Sequence, residues 1–168
     1  MIAPRLFGWL FLTVWLTWLF ALQARLGAAP WMPDLGLVLA IAVLAHLEER
    51  EGAVLALVLA LSRSALSPEP AVALLAGSVG FVLLGFGLRS VVELTGPLWR
   101  ATIAGGLVLA FDLWLAVVQS SRGGIGPALP VDAGSLLGVA FTSALLALFA
   151  GPLLARLPGL TPLRSRRW

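Results

Sequence analysis

No cysteine, lysine, tyrosine or asparagine occurs among the 168 residues, and histidine occurs once, at His46. The missing cysteine excludes a disulfide framework, a thiol nucleophile and a thiolate metal site. A serine or thiol hydrolase needs a nucleophile beside a base, and one histidine with no lysine and no cysteine leaves that pair unfilled. His46 has no second imidazole with which to share a metal, so it reads as a solvated loop residue. A P-loop, a dinucleotide fingerprint, a metal-ligand cluster and the glycine-flanked aspartate motif of intramembrane proteases are all missing as well. The expectation is a non-enzyme with no catalytic, cofactor-binding or metal-ligating residues.

Charge is scarce too. Charged residues make up 11% of the chain, hydrophobic residues 60%, and the mean hydropathy is +1.02. Soluble domains carry roughly 25% charged residues, so this composition belongs to an integral membrane protein. At about 20 residues per spanning helix, the chain has room for five or six spans and short loops. All eleven basic residues are arginines and the net charge is +3, but they fall in short loops, which points to lipid headgroups rather than nucleic acid.

Taken in order, an apolar run from Leu6 to Leu22 follows a short basic end at Arg5. It exceeds the ~7 to 15 apolar residues of a signal peptide and is expected to remain as a first helix. Trp9, Trp15 and Trp18 along it suit interfacial anchoring or packing. Two prolines and a tryptophan between Ala28 and Leu35 mark an interfacial turn, and Asp34 can cap the second helix, from about Leu35 to Leu47. A charged hairpin from His46 to Gly52 leads to a short third helix, Gly52 to Leu66, stopped by Ser67 to Pro70. The fourth helix runs from Ala71 to Leu88, the fifth from Trp99 to Gln119, and the sixth from roughly Ala133 to Ala155. A Gly- and Pro-rich connection, Ser120 to Asp132, separates the last two.

The resulting expectation is an all-α bundle of six transmembrane helices. Residues 1–156 form one membrane domain, and 157–168 form a short basic cytoplasmic tail anchored by Arg164, Arg166 and Arg167. With both termini inside, Arg5, Arg50, Arg89, Arg100, Arg156 and those three tail arginines lie inside, against Arg25, Arg63 and Arg122 outside. That asymmetry places both termini in the cytoplasm.

Two charges interrupt the apolar pattern. Asp112 lies in the interior of the fifth helix, where a carboxylate costs at least ~2.5 kcal/mol on insertion scales and normally faces protein. Arg63 lies near the end of the third. Counted from the inner ends of their helices at ~1.5 Å per residue, both sit roughly 17 to 18 Å deep, which makes them a candidate intramembrane ion pair. The competing arrangement has Arg63 snorkelling to water, with Asp112 protonated or bonded to a hydroxyl. Asp34 and Asp132 read as interfacial. Small residues at spacing four, Ala56 with Ala60, Ala76 with Gly80 and Ala101 with Gly105, are candidates for close helix packing within the bundle or against a partner's single helix.

This arrangement resembles the bacterial rod-shape-determining protein MreD family. The likeness is carried by the Pro33-Asp34-Leu35 turn opening the second helix, the charged hairpin Glu48 to Gly52 and the short third helix. It continues in the acid late in the fifth helix, within Leu107 to Ala116, and in the Pro-Leu-Leu ending at Pro152 to Leu154. Members often carry a glycine-preceded aspartate near the end of the third helix, where this chain has Leu61-Ser62-Arg63-Ser64. The resemblance implies six helices around a cleft, similar in fold to the substrate-binding subunits of energy-coupling-factor transporters. It also implies a cofactor-free scaffold in the bacterial inner membrane. Its partners would be MreC and the elongation synthase, RodA with a class B penicillin-binding protein, coupled to cytoskeletal MreB for peptidoglycan growth and cell shape. The alternative on the same fold is a solute-binding membrane subunit of such a transporter, which needs polar groups converging on a pocket near the outer face.

Overall fold

A computed structural model describes residues 3–26, 31–91, 96–122, 132–154 and 156–164. The Glu93 loop, most of the connection before Asp132, and Arg166 and Arg167 lie outside these residues. The described chain is helical, with no strand among the described residues: α1 Ala3–Leu26, α2 Leu35–Leu44, α3 Gly52–Ser64, α4 Ala71–Val91, α5 Pro97–Arg122, α6 Ala133–Leu154 and a last turn, α7 Thr161–Arg164. A 3-10 turn, Glu49–Glu51, joins α2 to α3.

Four helices, α1, α4, α5 and α6, are long and apolar enough to cross a membrane. Their outer faces fit that solvent. Along α1, Leu12, Leu16, Leu19 and Phe20 are buried at helical spacing, while Leu6, Phe7, Leu10, Phe11, Val14 and Trp18 are exposed. In water such an apolar face would drive aggregation; against lipid it costs nothing.

The remaining two helices are short. At ~1.5 Å per residue, α2 spans about 15 Å and α3 about 20 Å, less than the ~30 Å hydrocarbon core. α2 lies at the centre of the bundle, with every residue from Gly36 to Leu44 buried. A helix apolar all round belongs in such a place. Both of its ends are satisfied by polar groups. Asp34 accepts from Leu37 N–H at 2.9 Å. At the other end the Arg89 guanidinium donates to the carbonyls of Leu44 at 3.3 Å and Leu47 at 2.7 Å. An acid at the N-terminus and a cation at the C-terminus also match the helix dipole.

The α2–α3 turn is held to the start of α1 by an ion pair of 2.5 Å between Arg5 and Glu51. Glu51 also accepts from the Glu48 N–H, closing a capping box. Arg5, Arg50 and Arg89 therefore gather at one end of the bundle.

The segment expected as a basic tail folds otherwise. Leu160 and Leu163 are fully buried, Trp15 Nε1 donates to the Pro158 carbonyl at 3.1 Å, and Gly159 takes a left-handed φ of 84° against the Phe11 ring. Residues 157–163 thus close the bundle against α1. Their prolines bar a span but not a turn that buries two leucines.

Candidate functional site: a charged cleft

The end of the bundle opposite Arg5 and Arg89 holds a cleft of about 460 Å³. Three elements bring charge to it. The Pro33-Asp34-Leu35 turn fixes Asp34 as the cap of α2, the last turn of α3 carries Arg63, and the middle of α5 carries Asp112. α2 and α3 form an antiparallel hairpin with arms of ten and thirteen residues, so the residue that starts one meets the residue that ends the other.

Arg63 Nη1 donates to Asp34 Oδ2 at 2.8 Å. Its Nη2 lies 4.0 Å from Asp112 Oδ1, a charge contact beyond hydrogen-bond reach. The guanidinium sits between two aromatic rings, 5.4 Å from the Phe20 centroid and 4.8 Å from that of Phe111, at cation–π distance. Phe20 can lie there because Gly36 has no side chain; a Cβ at that position would overlap the ring.

Asp34 is enclosed by protein. It is 2% exposed, and its backbone N–H donates to Ser143 Oγ of α6 at 2.9 Å. Asp132, by contrast, is exposed and bonds the Gly134 N–H at the start of α6. Both Asp34 oxygens accept a hydrogen bond, one from the Leu37 N–H and one from Arg63. No group of three or more His, Cys, Asp or Glu able to hold a metal occurs among the described residues.

The small-residue pairs separate sharply. A Cβ on Gly105 would lie 3.2 Å from both the Ala140 carbonyl oxygen and the Ala144 Cβ, so this part of the Ala101–Gly105 face is where α5 and α6 approach closely. Gly80 has nothing within 4 Å of its Cβ position, and Ala76 is exposed. The Ala76–Gly80 face therefore has open space beside it among the described residues. The α4 glycines that pack are Gly77, covered by the Trp114 ring, and Gly85, against Leu44. Trp114 Nε1 also donates to the Ala73 carbonyl at 2.9 Å.

Asp34 was expected as a cap but not as the partner of Arg63, and Phe20, Gln23 and Ser143 were not expected at the site. The signal for Asp34 was present in the hairpin: two helices of near-equal length joined by a tight turn align its start with its end. Nothing local marks the others.

No family model, no curated protein and no solved structure matches the chain. The resemblance to the MreD family rests on the motifs quoted above.

Proposed function

We propose that this chain is a non-enzymatic scaffold of the bacterial cell-elongation machinery, multi-pass in the inner membrane. In this reading it binds MreC and helps couple the wall synthase, RodA with a class B penicillin-binding protein, to MreB. One observation carries the reading. The acid of the Pro33-Asp34-Leu35 turn and the acid of α5, two of the motifs behind the resemblance, approach the same guanidinium. Six helices cross, with α2 and α3 as shortened spans sheathed by the other four, and both termini are cytoplasmic. The clustering of Arg5, Arg50 and Arg89 at one end supports that orientation. The open Ala76–Gly80 face of α4 suits the single helix of a bitopic partner.

A second reading has one observation in its favour. The cleft gathers Asp34, Arg63, Asp112 and Gln23 at the end opposite the arginine cluster, as a solute-binding subunit of an energy-coupling-factor-type transporter requires. Affinity purification of the tagged chain from native membranes separates the two. Recovery of a single-span protein with a large extracytoplasmic domain, together with the synthase, supports the scaffold. Recovery with an ATPase pair instead overturns it.

A further inference from the structure

The cleft carries more negative charge than positive, two carboxylates against one guanidinium. Arg63 offsets the charge of Asp34, whose two oxygens accept from Arg63 Nη1 and the Leu37 N–H that caps α2. Asp112 accepts no hydrogen bond among the described residues; its nearest cationic nitrogen is the one 4.0 Å away. Gln23 Oε1, also lining the cleft, is buried without a donor. Two acidic side chains face one basic one, leaving a formal charge of −1.

Unmet acceptors in a low-dielectric wall are costly, and a carboxylate that accepts no hydrogen bond most of all. An occupant that relieves both must bring N–H donors and positive charge. A metal ion fits poorly, since only two acids are present and one is already bonded twice. An anion would add to a cleft that already holds two acids against one base. The other walls, Phe20, Leu66 and Val139, are apolar and suit a hydrocarbon body. The volume equals about fifteen waters at ~30 Å³ each, room for a small organic molecule.

We propose that the cleft binds a small organic cation, a primary ammonium or guanidinium on an apolar body. Its head bonds Asp112, and its body lies against Phe20, Leu66 and Val139. Asp112 is then the counter-ion of the ligand, and Arg63 is the fixed group that holds the floor in place. The inference rests on the cleft alone and stands for a scaffold or a solute-binding subunit alike.

The test is titration calorimetry on the purified full chain in lipid nanodiscs, with 2-phenylethylammonium and agmatine as cationic probes. The neutral isostere 2-phenylethanol and the anion 3-phenylpropionate are the controls. Saturable binding of a cationic probe is expected in the millimolar range or tighter. Asp112→Asn should weaken it at least about tenfold, the usual worth of one charge-assisted hydrogen bond. Gln23→Leu should weaken it less. Ala24→Trp keeps every charge and puts a large ring at an exposed position of the cleft wall, so it should also abolish binding; it decides the matter if Asp112→Asn does not fold. Equal affinity of the cation for wild type, Asp112→Asn and Ala24→Trp, equal affinity for the alcohol, or no saturable binding of either cation overturns the proposal. Because no partner is present in this experiment, its failure leaves the scaffold reading untouched.

Discussion

At the scale of single residues, Arg63 holds the cleft floor together. A guanidinium inside a membrane bundle is tolerable only with a partner, and Asp34 at 2.8 Å is a closer one than Asp112 at 4.0 Å. Removing one member of a buried pair leaves an uncompensated charge, which costs about 3 to 5 kcal/mol. Arg63→Leu should therefore lower the thermal midpoint in detergent more than either single acid substitution. Asp34→Asn is the informative companion, because an amide oxygen can still cap α2 while the charge is gone. A double-mutant cycle of Arg63→Leu with Asp34→Asn should show a larger coupling than one of Arg63→Leu with Asp112→Asn. Equal couplings would mean that the guanidinium is shared evenly. Arg63→Lys should not restore stability, since an ammonium lacks the planar fork that lies between the Phe20 and Phe111 rings while bonding a carboxylate.

At the scale of elements, α4 shows what a spacing rule leaves undecided. Small residues four apart define a stripe on a helix, but a helix of Ala, Gly and Ser carries several such stripes. Ala76 with Gly80 and Gly77 with Phe81 and Gly85 differ by one residue, a rotation of about 100°. The second stripe meets protein, because Trp114 and Leu44 lie on that side. Gly77→Leu should then be severely destabilising, by roughly 1 to 3 kcal/mol from overpacking against the indole. Gly80→Leu should leave the melting temperature of the isolated chain nearly unchanged while reducing recovery of a partner helix. A destabilised Gly80→Leu would show that the open face is covered within the folded chain. The central helix α2 makes a related point. Its apolar sequence gives no face, and its location follows from the caps at its two ends, Asp34 and Arg89.

At the scale of the whole molecule, the orientation can be checked directly. Reporter fusions at both ends of the chain should each report the cytoplasm; opposite locations would require an odd number of spans. Composition by itself pointed to a membrane, since few sequences so poor in charge can fold in water, and four helices long and apolar enough to cross one agree with it. Apolar runs and their Pro, Gly and Asp punctuation determined six helices with bounds close to those observed. The depth of Arg63 and of Asp112 could be counted because rise per residue is fixed by the backbone. What sequence left open was azimuth and company. Which stripe of α4 faces protein, that Asp34 rather than Asp112 takes the hydrogen bond of Arg63, and that Leu160 and Leu163 return to close the bundle depend on contacts between segments far apart in the chain. In an almost uniformly apolar sequence the hydrophobic pattern carries no signal for those contacts, since lipid and protein interior look alike to a leucine. Shape and a few buried polar groups select among the packings, and they act only once the helices are assembled.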